Sequence, residues 1–252
     1  MIYSEQLLTK DIRQRFSVIL VRPEKPENIG LVARCMKNTG FEDFRLVGVR
    51  SLTRRAYTTA VHAEEILERA RMFEDIPRAT EDCHLLFAAT AKTRKNFELL
   101  ALEEAVTKMY QGLPTARIGL LFGCERTGLT SEELRHANFV FKIPQASRQP
   151  SYNLSSAVLL VLFHIFTRTK LPLDREADPK PLTRKEQEEC IRVILERLEE
   201  KKFIHRTNKR HMTERIYNLI GRMSLTSKDR SLLLALFSRG FEGSSVSLSE
   251  ED

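Results

Sequence analysis

The sequence predicts an α/β fold with a mostly parallel sheet, followed by a small all-helical C-terminal extension. Three observations carry that expectation. Apolar, strand-like runs alternate with helical patterns from Phe16 onward. Five such strand–helix units fit within about 150 residues, the scale of one α/β domain. Beyond Arg184 every apolar pattern has a helical period, and no strand candidate remains.

Ser17–Val21 reads as a buried strand, and a helix from Glu27 carries Ile29, Val32, Ala33 and Met36 at i, i+3, i+4, i+7. Gly40 ends that helix, where a left-handed C-cap favours glycine. Phe44–Gly48 is the second strand, Ala63–Phe73 the second helix and Cys83–Ala88 the third strand. Leu99–Tyr110 is helical and Ile118–Phe122 is the fourth strand. Thr130-Ser131-Glu132-Glu133 fits a capping box. Phe139–Ile143 is the fifth strand, and Leu154–Arg168 a long apolar helix capped by Ser151 or Asn153.

Residues 1–170 form the first expected domain. Residues 171–183, with three prolines and no period, read as a linker. Residues 184–241 form the extension, with one apolar stripe at Ile191, Ile194, Leu195 and Leu198. A second runs through Ile216, Leu219, Ile220 and Met223, and a third helix covers Ser227–Phe237. Residues 242–252, rich in Gly, Ser and acid, read as a disordered tail.

Composition narrows the class. The 252 residues carry 41 Lys and Arg against 34 Asp and Glu, a formal charge of +7, compatible with a polyanionic partner. Met1–Arg15 lacks the apolar core of a signal peptide, and the longest apolar run, Ala157–Phe166, is too short to span a membrane. Cys35, Cys83, Cys124 and Cys190 are scattered without a CxxC pair, so reduced thiols in a cytoplasmic protein without a metal site are expected. No GxGxxG, no P-loop and no GxSxG follows a strand, which removes the usual dinucleotide, nucleotide and α/β-hydrolase readings.

Ligands of open α/β sheets bind at the carboxyl ends of strands. Three segments there carry chemistry. Pro26–Arg34 places Asn28 in the first turn of a helix and Arg34 about 9 Å further along. Leu121–Leu129 brackets Glu125 and Arg126 between Gly123 and Gly128. Ile143–Ser155 is a polar loop feeding the most apolar helix. An ordinary helix start, a plain βα turn and an N-cap are the bland readings of the three.

Together, in this order and spacing, the segments resemble the three motifs of the SpoU (TrmH-like) branch of SPOUT RNA methyltransferases, over roughly Phe16 to Arg168. The resemblance implies a trefoil knot late in the catalytic domain, S-adenosylmethionine as cofactor and a homodimer. Asn28-Ile29-Gly30, Ala33-Arg34 and the helical extension resemble the subfamily that 2'-O-methylates residue 32 of tRNA. Carried over by position, Arg34 matches the catalytic arginine and Asn28 the first-motif asparagine. Glu125 matches the second-motif acid, and Ser151 and Asn153 the third-motif serine and asparagine. Thr90, Ala91, Lys92, Gly123, Ile143, Pro150, Ser151, Tyr152 and Asn153 are then the expected cofactor-binding residues. Ala89, Cys124 and Tyr152 depart from the subfamily's usual Gly, Arg and Leu.

A guanidinium parts with its proton too reluctantly to be a ready base. Arg34 is therefore expected to bind the phosphate beside the target ribose and polarise the hydroxyl, with the role of final proton acceptor, open to it only when desolvated, as the alternative the sequence does not separate. Its helix neighbours at three and four positions are Gly30, Leu31, Lys37 and Asn38, none of them acidic. Lys201, Lys202, Arg206, Lys209 and Arg210 fall within ten positions and read either as a solvated turn or as an RNA-binding patch, with Arg34 as a further RNA contact. A ribosomal-RNA methyltransferase and a catalytically silent RNA-binding module are the competing readings.

Overall fold

The computed structural model describes residues 10–92, 97–112, 116–146, 151–168, 180–223 and 225–238. A one-turn helix α1 (Lys10–Arg13) precedes β1 (Phe16–Val21), whose six residues are all buried. Buried on both faces, such a run can only be a central strand. Helix α2 (Pro26–Thr39) starts on a proline and ends at Gly40, which sits at φ 74° and donates back to the carbonyls of the last turn. Strand β2 (Asp43–Val47) follows, then two short helices, α3 (Arg54–Ala60) and α4 (Glu64–Glu68), and β3 (Arg71–Phe73). Next come α5 (Ile76–Thr80), β4 (Leu85–Ala89), β5 (Leu99–Ala101) and α6 (Leu102–Gly112). The domain closes with β6 (Ile118–Phe122), α7 (Ser131–Leu134), β7 (Phe139–Lys142) and α8 (Leu154–Thr167).

The strands form one parallel sheet in the order β3-β2-β1-β6-β4-β7-β5. Helices α2, α3, α4, α6 and α8 cover one face around Phe16, Met36, Phe41, Phe87 and Val158. The other face is built around Ile19, Ile76, Leu86, Leu121 and Leu134. Each face takes alternate residues of the same strands, the period-two rule of a pleated sheet.

Three local expectations change. The helix expected over Ala63–Phe73 stops at Glu68, and Arg71–Phe73 is an edge strand. Ile66 and Leu67 enter one core and Phe73 packs on the other, so a single straight helix cannot serve both. Leu99–Ala101, expected as the start of a helix, pairs with β7, and the Glu104 carboxylate accepts from the Ala101 N–H. Helix α3 carries too few apolar residues to be read from pattern. It packs closely on α2, and Gly30 permits that approach: a Cβ there would lie 2.0 Å from the Ala56 carbonyl oxygen. Gly30→Ala is accordingly expected to cost about 2 kcal/mol of stability, read as a shifted urea midpoint.

The extension comprises α9 (Arg184–Glu200), α10 (Lys209–Arg222) and α11 (Ser227–Ser238) around a core of Leu182, Cys190, Ile191, Ile194, Ile220 and Leu225. Ile216, Tyr217 and Ile220 face that core, but Leu219 and Met223 of the expected stripe stand exposed. The extension is docked on the sheet domain. The Arg184 N–H donates to the Cys83 carbonyl, and the Asn138 amide donates to the Gly221 carbonyl. Of the expected linker, Pro181 bridges Thr226 and Leu182 is buried, while 171–179 and the tail at 242–252 lie outside the described residues.

Candidate active site

The loops after β4, β6 and β7, three adjacent strands, enclose a cavity of about 430 Å³ at their carboxyl ends. Phe122, Ile143, Leu154 and Ala157 give it an apolar strip, and Thr90, Lys92, Glu125, Thr127, Gln145 and Ser151 supply polar groups. Of the expected cofactor residues, Thr90, Ala91, Lys92, Gly123, Ile143, Ser151 and Tyr152 line it. Pro150 lies outside the described residues, and Asn153 is not part of the wall. An apolar slot edged by a few polar groups is the form of a small-molecule site.

The turn after β6 is shaped by its glycines. A Cβ on Gly123 would lie 2.2 Å from the Gly128 carbonyl carbon, and Gly128 itself sits at φ 68°. No other residue fits both places. Cys124 bridges to Gly128 and its thiol lies 2.9 Å from the Thr127 hydroxyl, so Cys124 closes the turn. Immediately after it, Thr130 and Glu133 form the expected capping box.

Behind the cavity the three segments are joined. Asn28 is buried, and its Nδ2 donates to Glu125 Oε1 at 2.6 Å. Glu125 also accepts from the backbone N–H groups of Glu24 (2.8 Å) and Lys25 (3.2 Å). Asn153 Nδ2 donates to Asn28 Oδ1 at 3.2 Å, and Asn153 Oδ1 accepts from the Ser155 N–H as the N-cap of α8. Asn153 is thus the cap, and Ser151 stands free to face the cavity. Burial pushes the Glu125 carboxyl up, but the hydrogen bonds from Asn28 and from backbone N–H groups outweigh it and hold it below its ordinary value. Glu125 is therefore an ionised anchor at neutral pH, suited to holding loops in register and unsuited to taking a proton.

Arg22 was legible only as a loop residue. It adopts φ 51° directly after β1, and its guanidinium grips Glu133 with bonds of 2.7 and 2.9 Å. The pair ties the β1–α2 loop to α7, alongside the Glu24 and Lys25 amides that reach Glu125. A bidentate pair of this kind fixes orientation as well as distance.

Arg34 is exposed on α2, outside the cavity wall of its own chain. Its neighbours Glu27 and Lys37 pair with Arg55 and Glu65, whereas Arg34 makes no ion pair or hydrogen bond among the described residues. Next to it, the Cys35 thiol points to the Ser155 carbonyl at 3.8 Å, which sets this side of α2 against the start of α8.

Comparison with known proteins agrees with this arrangement. A family model described as the SpoU rRNA Methylase family matches residues 15–163. The chain is 30% identical over 227 residues to a tRNA (cytidine-2'-O-)-methyltransferase TrmJ of Methanocaldococcus jannaschii, covering 88% of this chain and 97% of the relative. It is 27% identical over 236 residues to a Pseudomonas aeruginosa tRNA (cytidine/uridine/adenosine-2'-O-)-methyltransferase TrmJ, covering 87% and 91%. The crystal structure of TrmJ from Z. mobilis ZM4 superposes with a TM-score of 0.77 at 27% identity, over 88% of this chain and 97% of that one. A match to the family model over more than half the chain, with all three motifs meeting at one site, leaves one conclusion: the chain belongs to the SpoU rRNA Methylase family.

Proposed function

We propose that this protein transfers a methyl group from S-adenosylmethionine to a ribose 2'-hydroxyl of tRNA, at residue 32 of the anticodon loop. The observation that carries the reading is one cavity lined by the second and third motif segments, with the first tied in behind it through the Glu125–Asn28–Asn153 hydrogen bonds. The cavity suits the cofactor: its apolar strip matches an adenine ring, and its polar groups match a ribose and an amino acid. Bound there, S-adenosylmethionine supplies a methyl on a sulfonium, a strong electrophile.

The chain's own residues do the rest. Thr90, Lys92, Gly123, Ser151 and Tyr152 hold and orient the cofactor, and the buried hydrogen bonds keep their loops from drifting. Arg34 binds the phosphate beside the target ribose and polarises the hydroxyl, a bidentate task for which a planar guanidinium is suited. Proximity and alignment of the hydroxyl then supply most of the rate. Residues 1–170 carry this chemistry and 184–241 add RNA affinity, through the patch at Lys201, Lys202, Arg206, Lys209 and Arg210. The protein works in the cytoplasm.

Nucleoside mass spectrometry of RNA from cells lacking the protein tests the reading. The 2'-O-methyl mark at tRNA residue 32 should disappear, and purified protein should restore it. Loss of a ribosomal-RNA mark with the tRNA mark intact would transfer the assignment to ribosomal RNA.

A homodimer is part of the proposal. Helix α8 leaves Leu159, Leu160 and Phe163 exposed, with Phe163 at 54%, on the helix packed against α2. An apolar stripe of this kind fits a second copy, which would also bring Arg34 toward a site its own chain does not let it line. Leu160→Glu with Phe163→Glu should shift light scattering from dimer to monomer and abolish methylation. A wild-type monomer with full activity would remove the dimer from the mechanism.

A further inference from the structure

The turn joining α9 to α10 presents one aromatic ring among cations. Phe203 is 59% exposed, and Lys201, Lys202, His205, Arg206, Lys209 and Arg210 around it in sequence are exposed as well. The turn is firmly built. The N–H groups of Phe203 and Ile204 both donate to the Leu198 carbonyl, and Lys202 takes the left-handed conformation at φ 60° that the reversal needs. Ile204 is buried as an anchor. Asn208 clamps the far side, its Nδ2 donating to the Phe203 carbonyl at 3.0 Å and its Oδ1 accepting from the His205 N–H at 2.8 Å. The backbone on both sides of Phe203 is therefore held, so displaying the ring costs no backbone ordering on binding.

The charges beside it are not equivalent. Lys209 pairs with Glu199 at 2.7 Å and Arg210 with Glu214 at 3.4 Å. Among the described residues, Lys202 and Arg206 make no ion pair or hydrogen bond through their side chains. An exposed ring on a held backbone, flanked in sequence by two uncommitted cations, has the chemistry of a single-stranded nucleic-acid contact. Any base offers a face to stack on, and the neighbouring phosphates take the cations. A paired helix offers no such face along its length, because its bases are already stacked.

We propose that the Phe203 ring stacks on an unpaired base of the substrate RNA while Lys202 and Arg206 hold the flanking phosphates. This rests on the RNA methyltransferase reading above, and narrows the contact made by the extension from a general basic patch to one base with its two phosphates.

The chain contains no tryptophan, so Phe203→Trp places a single indole at the contact. Its emission should be quenched, and the quenching should saturate, on titration with tRNA, while a fully paired RNA duplex leaves it unchanged. Phe203→Leu should keep the melting temperature, weaken tRNA binding about tenfold and leave the salt slope as in wild type. Lys202→Glu with Arg206→Glu should instead flatten the slope. The stacking is overturned if Phe203→Leu binds tRNA as tightly as wild type. It is equally overturned if the indole is silent at saturating tRNA, or if the duplex quenches it as strongly. Wild-type protein that binds no tRNA would sink the RNA reading itself, and the stacking with it, whereas wild-type binding with an indifferent Phe203 sinks the stacking alone.

Discussion

Arg34→Ala should lower single-turnover methylation by two or more orders of magnitude, about 3 kcal/mol of transition-state stabilisation, while fold and S-adenosylmethionine affinity stay as they are. The reasoning is local. The Arg34 side chain is exposed, touches no cavity wall of its own chain and has no ion pair or hydrogen bond among the described residues, so no bond described there is lost with it. Charged neighbours on the same helix are committed to Arg55 and Glu65. Arg34→Lys should recover little, because a point charge does not hold a phosphate and a hydroxyl in one plane. Methylation by the alanine variant within about threefold of wild type would reduce Arg34 to a surface residue.

The largest effect on stability is expected at Arg45, at the opposite end of the sheet. Its side chain is fully buried in the middle of β2. It donates to Asp43, Asp82 and the Ala79 carbonyl, and Asp43 also takes bonds from Ser17, Arg71 and Arg117. Replacing the guanidinium with an apolar chain of similar length takes from Asp43 and Asp82 the buried cation they share and leaves the Ala79 carbonyl without its donor. Arg45→Met should therefore cost about 3 kcal/mol, read from urea unfolding at neutral pH. Arg45→Lys should rescue little, because three partners need the planar fork.

The pH dependence follows from the same cluster. Burial pushes the Asp43 carboxyl up, but the Arg45 guanidinium and the Ser17 and Arg71 hydrogen bonds outweigh it and hold it at about 2, against an ordinary 3.8. A depressed carboxyl contributes stability that is complete above its unfolded value and is lost as pH falls through the folded one. Wild type should lose that contribution between about pH 4 and pH 2, and Arg45→Met, keeping only the part that Ser17, Arg71 and Arg117 supply, should show a shallower acid loss. Parallel acid curves for the two proteins would contradict the cluster's role.

Much of the α/β architecture was written locally. β1 and β6 are continuous apolar runs, α2 carries a helical apolar stripe closed by Gly40, and Thr130 with Glu133 makes a capping box from four consecutive residues. The three motif segments were legible for the same reason: each is contiguous and follows a strand. Each holds polar types, Asn28, Glu125 and Ser151, that can be picked out within a short stretch.

What escaped was settled by partners distant in the chain. Leu99–Ala101 has no alternation to mark it as a strand, and only β7 beside it makes it one. Arg54–Ala60 has little apolar period, and what places it is its close packing on α2 at Gly30. Ser151 and Asn153 were equal candidates for the cap of α8. The bond from Asn153 to Asn28, 125 positions away, accompanies its capping of α8 and leaves Ser151 for the cavity. The sequence by itself determined which residues are present at the strand ends, because periodicity and turn chemistry act over a few residues. Tertiary structure alone decided which of them meet, because the order of strands in the sheet brings the loops after β4, β6 and β7 side by side and no local pattern encodes that order.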